Sequence, residues 1–133
     1  MKRKYPKVII SEEGEKWLDK GQMWMYRNNA VNIDETIENG ELVDIITTTG
    51  RYLGTGFISK NSHITVRILS KDINEMFDRN FFKRRIQFAY DFRKTVEKEN
   101  LTNCRLVFGE ADELPGLTVD RYNDILVCQI SSY

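Results

Sequence analysis

The chain has 133 residues, of which 41% are apolar, 30% charged and 11% aromatic, a composition that excludes a disordered chain and suits one ordinary domain or two small ones. Its formal net charge is zero, so overall charge indicates no attraction to nucleic acid or to an acidic membrane surface. The sequence has no apolar run long enough for a secretion signal or a membrane span, and we expect a cytoplasmic protein with no membrane partner.

The first third of the chain predicts a strand, a helix and an extended segment. The apolar residues 8–10 predict the strand. Ser11, followed by acidic residues, predicts a capped helix that runs to about Lys20 and ends at Gly21. Residues 23–31 then predict an extended segment.

Three short strands are predicted next, over residues 41–48, 52–58 and 63–69. Gly54 and Gly56 fall on one face of the middle strand, where the missing side chains permit either a sharp bend or the close approach of another chain or a ligand. Short strands that follow a helix and are joined by tight turns predict a small β-barrel.

The hydrophobic period changes in the last part of the chain. A helix is predicted from residue 78 to about residue 100, with one stripe at spacings of four and three made of Phe82, Ile86, Ala89, Arg93 and Val96. A strand over 105–108 follows, and residues 117–122 and 125–130 predict a hairpin. The order of elements predicts an α+β fold.

Few residues in the sequence suit metal or redox chemistry. The single histidine, His63, and the absence of a Cys-x-x-Cys motif lead us to expect no metal site. Cys104 and Cys128 lie in apolar stretches and are expected to be reduced, half-buried thiols that serve in packing. Two basic clusters fit either a solvated face or an RNA contact: Lys2, Arg3, Lys4 and Lys7, and Arg79, Lys83, Arg84 and Arg85.

The most specific motif is the run RLVFGEADELPGLTVDRY over residues 105–122. It resembles the central-domain signature of the RlmI-like large-subunit rRNA (cytosine-5) methyltransferases, roughly Arg-Leu-Val-x-Gly-Glu-x-Asp-Gly-Leu-Pro-Gly-Leu-x-Val-Asp-Arg-Tyr. Glu113 stands where that pattern has a glycine. Segment 21–28 resembles the family's Gly-His-Pro-Trp-Ile-Phe-Arg/Ser motif, with Gln22 and Met23 in place of His and Pro.

Two further segments extend the resemblance. Residues 54–69 look like the strands that close the barrel of a PUA domain, and residues 81–86 look like the start of the family's linking helix. The resemblance implies a PUA-like β-barrel with a helix in residues 1–73. It also implies that residues 74–133 hold the linking helix and the first strands of an incomplete α/β central domain.

The family's catalytic domain, which is doubly wound and binds S-adenosylmethionine, has no counterpart in this sequence. No glycine-rich turn follows a strand with an acidic residue beyond it. The family's nucleophile is a cysteine in a Pro-Cys motif, and neither Cys104 nor Cys128 follows a proline. We therefore expect S-adenosylmethionine in the parent protein, and neither cofactor nor catalysis in this chain. An end directly after an apolar strand also fits a chain cut from a longer one.

The resemblance implies ribosomal RNA as the partner, because PUA domains bind structured RNA mainly through its shape and backbone. The expected docking surface lies between the first helix and the following strand and contains Lys20, Gly21, Gln22, Trp24 and Arg27. Lys20 and Arg27 would supply charge, Gly21 would admit a phosphate, and Trp24 either stacks on a base or packs in the core. A second basic set either extends this surface or is solvated: Arg67, Arg84 and Arg85.

Acidic residues near the loop 109–116 invite a catalytic interpretation that we do not favour. Glu110, Asp112 and Asp120 could form a carboxylate site. Acids in a loop rich in Gly and Pro more often bind backbone N–H groups and fix the turn.

Three functions stay open: a fragment of an rRNA methyltransferase that binds RNA, a free-standing PUA-type RNA-binding module, and a protein-interaction domain. The motif at 105–122 favours the first, whereas the zero net charge favours the third. The sheet of an incomplete central domain should have an unpaired edge, which predicts self-association or a mobile carboxyl terminus.

Overall fold

A computed structural model describes residues 3–131, so that Lys2 of the basic N-terminus and the last two residues lie outside the described part. The chain divides into two compact units, one ending at Glu75 and the other beginning at Met76. The first unit contains β1 (Lys7–Ile10), α1 (Glu12–Asp19), β2 (Trp24–Tyr26), a 3-10 turn (Arg27–Asn29), β3 (Ala30–Asn32), β4 (Leu42–Thr47), β5 (Tyr52–Ile58) and β6 (Ile64–Ser70).

The strands of the first unit form one six-stranded sheet in the order β2-β6-β5-β4-β1-β3. The pair β1–β4 is parallel and the other pairs are antiparallel. The 3-10 turn interrupts the extended segment predicted over 23–31. The two halves of that segment are β2 and β3, which form the opposite ends of the sheet. Because only that short turn joins β2 to β3, the sheet must curl, and it does so around one core that includes Val8, Leu18, Met25, Val43, Ile45, Ile58 and Val66.

The first helix begins and ends at the predicted residues. The Ser11 hydroxyl accepts a hydrogen bond from the Gly14 N–H at 3.2 Å and caps the amino end of α1. At the other end Gly21 takes a left-handed conformation with φ +91°, and its N–H donates to the Leu18 carbonyl at 3.1 Å. A glycine is favoured there because side chains strain this conformation.

The glycines of β5 are needed for strand packing. A Cβ atom on Gly56 would lie 2.0 Å from the carbonyl oxygen of Arg67 on β6, and one on Gly54 would lie 3.0 Å from a methyl group of Ile68. The close approach that the sequence left open is observed, with the protein's own strand β6 as the approaching chain, and the β5–β6 register also shifts between Thr55 and Gly56.

A buried polar network holds the start of the chain against β4 and β5. The Arg3 guanidinium donates to both carboxylate oxygens of Asp44, at 2.8 and 3.0 Å, and to the Thr55 hydroxyl at 2.8 Å. The Tyr52 and Thr55 hydroxyls are 2.7 Å apart, and Arg3 also binds the carbonyl oxygen of Ile73. The grouping of Arg3 with a solvated or RNA-contacting basic terminus is therefore wrong, because its charge is neutralised inside the unit.

The second unit consists of α2 (Arg79–Val96), β7 (Asn103–Phe108), a 3-10 turn (Gly109–Asp112), β8 (Leu117–Tyr122) and β9 (Ile125–Ile130). The three strands form an antiparallel sheet in the order β7-β8-β9. The Asp78 carboxylate caps α2 by accepting from the Phe81 N–H at 2.9 Å. Asn123 takes a left-handed conformation in the turn of the predicted hairpin.

The buried stripe of α2 differs from the predicted one. Phe81 and Ala89 are buried, while the side chains of Arg85 and Arg93 are only 17% and 16% exposed. The inward face therefore repeats every four residues from Phe81. Ile86 and Val96, predicted to be inside, are 44% and 57% exposed. Ala89 and Arg93 lie inside as predicted, whereas the Arg85 side chain packs over the Phe81 ring, a contact that the pattern of hydrophobic residues does not indicate.

One acidic residue of the second unit, Asp112, binds a backbone N–H as favoured from the sequence, whereas Asp120 pairs with an arginine side chain. Asp112 accepts from the Phe108 N–H at 2.6 Å and from Arg93 at 3.2 Å. Asp120 accepts two hydrogen bonds from Arg105, which lower the pKa of that carboxyl group. Glu113 keeps a left-handed conformation, φ +58°, at the position where the motif has a glycine, and strain of this kind costs about 1 kcal/mol.

Candidate nucleic-acid interface

The carboxyl end of α1 and the 3-10 turn after β2 present most of the predicted RNA-binding residues. Lys20 caps α1 and is exposed, as are Gly21 and Gln22. Arg27 opens the 3-10 turn, and its backbone N–H donates to the His63 carbonyl at 2.8 Å while its side chain is exposed. The cations predicted for phosphate contact are thus accessible to solvent.

Trp24 lies beside this surface without entering the core. Its neighbour Met25 is fully buried in the core, and because successive strand residues face opposite sides, Trp24 points away from it. Trp24 is half-buried, and its carbonyl oxygen accepts from the indole N–H of Trp17 at 3.2 Å. The alternative that placed Trp24 in the core is wrong, and base stacking stays a prediction.

A groove of about 590 Å³ separates α1 from the 3-10 turn. Its lining includes only Lys20 among the predicted residues, and the full set is Glu13, Lys16, Trp17, Lys20, Tyr26, Asn28 and Asn29. The α1 members recur at spacings of three and four, so they share one face of the helix. That spacing is visible in the sequence and is the signal that could have indicated the groove. We call this set the α1 groove.

A smaller groove of about 290 Å³ lies around Gly21 and Lys71, and its lining also includes Asp19 and Arg51. The Lys71 ammonium group donates to the Leu18 carbonyl at 2.7 Å, and partial burial lowers the pKa of Lys71. Arg51 is paired with Glu15 at 2.6 Å and with Asp19 at 3.1 Å. Lys71 is therefore a cation next to Gly21 that was not predicted from the sequence.

The second basic set is less accessible than its sequence pattern suggested. Arg67 is half-buried on β6, where it is the register partner of Trp24. In the second unit Arg84 is exposed, with its guanidinium 6.0 Å from the ring of Phe81. Arg85 lies 4.3 Å over the same ring and donates to the Glu113 carbonyl. Packing within its own unit therefore engages Arg85, and we rank it below Lys20 and Arg27.

Other chemistries find little support in residues 3–131. No group of three or more His, Cys, Asp or Glu side chains there is arranged to hold a metal ion. Burial raises the pKa of the half-buried Cys104 thiol, which opposes the thiolate that a nucleophile needs. Cys128 is exposed on β9, contrary to the expected half-buried packing role. No helix in this range has the length and apolar character needed to cross a lipid bilayer.

Comparisons with known proteins identify related sequences. Residues 8–71 match the PUA-like domain family. Over 95% of its length the chain is 44% identical to the ribosomal RNA large subunit methyltransferase I of Shewanella amazonensis. Over 96% it is 33% identical to the protein of the same name from Klebsiella pneumoniae. The chain spans 32% of the length of each of these relatives.

Two solved structures share the fold of the chain. One, a candidate SAM-dependent methyltransferase from Streptococcus mutans, aligns with a TM-score of 0.80 at 22% identity. The other, described as a candidate methyltransferase complexed with SAH, aligns with a TM-score of 0.82 at 22% identity. In each case the alignment covers 96% of this chain and 33% of the other.

Proposed function

We propose that this chain has an RNA-binding role. It carries a PUA-like domain, and it is homologous to a segment that makes up about one third of the length of ribosomal RNA large subunit methyltransferase I proteins. The first unit binds ribosomal RNA in the cytoplasm and positions it for an S-adenosylmethionine-dependent cytosine-5 methyltransferase domain outside these residues. The observation that carries the proposal is a pair of exposed cations: Lys20, which precedes the left-handed Gly21 at the end of α1, and Arg27, at the start of the 3-10 turn after β2.

The charges at the carboxyl end of α1 decide how a phosphate would be bound near Gly21. The carboxyl end of a helix carries a partial negative charge, which repels phosphate. Lys20 caps this end and Lys71 donates to a carbonyl of the last turn, so two cations oppose that charge. Nothing lies within 4 Å of the place where a Gly21 side chain would begin, and an RNA backbone can approach there.

Replacing the two exposed cations should weaken RNA binding in a salt-dependent way. For Lys20→Ala/Arg27→Ala we expect weaker binding of an rRNA hairpin, and a slope of log K against log salt that is smaller by about 1 for each phosphate that the variant no longer binds. Fluorescence anisotropy over a salt series measures both quantities. Lys94→Ala/Lys98→Ala removes the same charge from exposed positions outside both basic clusters and should leave the slope unchanged. Equal slopes for wild type and Lys20→Ala/Arg27→Ala would refute this surface.

We further propose that this chain alone does not bind S-adenosylmethionine. The relatives are about three times as long as the matched region, which leaves room for a separate cofactor domain in them. Isothermal titration calorimetry of the chain with S-adenosylmethionine should therefore give no heat beyond dilution. A saturable heat that ATP, which shares only the adenosine portion of S-adenosylmethionine, does not reproduce would contradict the assignment.

The exposed strand β9 supports a second role in protein association, and we propose a second copy of this chain as the partner. Within the described residues β9 pairs only with β8 and leaves its other edge open. Its apolar side chains Ile125, Leu126, Val127 and Ile130 are 49–71% exposed. Helix α2 contacts β7, and every residue of β9 is exposed. Exposed apolar edges of this kind favour strand addition.

Sedimentation velocity over a range of protein concentrations tests the association. The wild-type chain should shift to dimer as concentration rises, and Val127→Lys should stay monomeric because a charge on β9 opposes both pairing and apolar contact. Val31→Lys is the matched control, since Val31 is 57% exposed on β3, an end strand of the other sheet. A wild-type chain that is monomeric at every concentration would rule out this partner.

A further inference from the structure

The α1 groove combines aromatic, cationic, amide and acidic side chains in one place. Its aromatic members, Trp17 and Tyr26, have ring centroids 6.0 Å apart and planes inclined at 57°. The rings thus form a corner, in which a flat group can stack on one ring and meet the other with its edge. Both rings are half-buried, so they are held in place while part of each surface stays open.

Polar groups line the remaining walls of the groove. Lys16 and Lys20 lie on α1, and the side-chain amides of Asn28 and Asn29 come from the 3-10 turn. Within residues 3–131 neither amide is hydrogen-bonded to another part of the protein through its side chain. Each amide can both donate and accept, which suits the edge of a nucleobase. Glu13 adds a group that only accepts when ionised.

The size and composition of the groove narrow the class of ligand. Its volume of about 590 Å³ lies within the range of small-ligand sites, about 300–1,000 Å³. A nucleotide offers all the groups that the groove can bind. Its base is a flat ring for the aromatic corner and has hydrogen-bonding edges for the amides, and its phosphate is an anion for the two lysines. A lipid acyl chain would leave the amides without partners, and a simple anion would leave the rings unused.

We infer that the α1 groove binds one unpaired nucleotide of the RNA, with its base stacked in the Trp17–Tyr26 corner and its phosphate near Lys16 and Lys20. The inference rests on the proposed RNA-binding function and deepens it. It means that the first unit recognises a bulged or looped nucleotide in addition to helix shape. Recognition of RNA sequence commonly relies on such splayed bases, because the deep major groove of an RNA helix hides its bases.

The test compares three hairpins that differ at one position: one with a single bulged nucleotide, one fully paired and one with an abasic residue at the bulge. With the complete wild-type chain, the bulged hairpin should bind about tenfold more tightly than either of the others, since stacking of one base supplies a difference of this order. The abasic hairpin removes the base while the protein stays unchanged, so the result does not depend on the folding of a variant.

Two protein variants locate the effect. Tyr26→Leu should abolish the preference for the bulged hairpin, whereas Phe88→Leu, which alters an aromatic side chain that is 78% exposed in the second unit, should retain it. Equal binding of the three hairpins by the wild type would overturn the inference and leave the proposed function standing. An absence of binding to any hairpin at low salt would overturn both. A preference that survives in Tyr26→Leu would also overturn the assignment to this groove.

Discussion

Gly56→Ala is expected to destabilise the first unit by about 3 kcal/mol, the upper part of the usual range for overpacking a buried site. The new Cβ atom would lie 2.0 Å from the Arg67 carbonyl oxygen and 2.7 Å from the Ile68 Cα. Those atoms are backbone, so a change of side-chain rotamer cannot relieve the clash. The strand pair β5–β6 must separate, and it carries much of the core of the first unit.

Urea unfolding followed by tryptophan fluorescence measures this effect. The only two tryptophans of the chain, Trp17 and Trp24, lie in the first unit, so their signal reports on it. Gly50→Ala is the matched control because its site is open but left-handed, with φ +88°; strain alone should cost about 1 kcal/mol there. Equal losses for Gly56→Ala and Gly50→Ala would contradict the close packing of the strands.

Arg3→Ala is expected to cost about 3 kcal/mol, because it leaves the Asp44 carboxylate without its counter-charge inside the unit. The Asp44 side chain is only 3% exposed, and the guanidinium supplies hydrogen bonds to both of its oxygens. Arg3→Lys should recover only part of the loss, since an ammonium group cannot donate in the same bidentate geometry.

An exposed ion pair between α1 and the turn before β5 provides the comparison for Arg3. Arg51 lies 2.6 Å from Glu15, a shorter contact than that of Arg3, but its side chain is 51% exposed. Arg51→Ala should therefore cost no more than about 1 kcal/mol, since solvent screens the pair. The same tryptophan-detected unfolding ranks the two variants. A loss for Arg3→Ala as small as that for Arg51→Ala would show that the network does not hold the chain start in place.

Local signals in the sequence predicted most of the secondary structure. Ser11 and Gly21 bound α1 because capping is decided within a few residues, and the limits of β5, β8 and β9 follow from neighbouring turns. The Arg3–Asp44 pair could not be predicted in this way, because its partners are 41 residues apart and meet only after the sheet has formed.

The family resemblance at residues 105–122 is confirmed by the relatives, although the structural role of one residue within it was not predictable. Glu113 adopts the left-handed conformation expected of a glycine. Its carbonyl oxygen accepts from Arg85, a residue for which the sequence left open either an RNA contact or a solvated face. A basic residue on a helix can serve packing or a partner equally well in sequence terms, and tertiary contacts decide between them.

The candidate site was only partly accessible from the sequence. Lys20 and Arg27 could be named because they flank a helix end and a motif. Tyr26 and Asn28 could not, because the predicted extended segment gave no sign that a 3-10 turn would place them opposite Lys16 across a groove.

The central claim is that RNA binds the first unit at the end of α1, and amide chemical shifts of the isotope-labelled chain test it most directly. On titration with an rRNA hairpin, the largest changes should fall on residues 16–22 and 26–29. Strand β9 should change little at a protein concentration where the chain is monomeric. Shifts confined to α2 and β7–β9, or none at low salt, would contradict this claim.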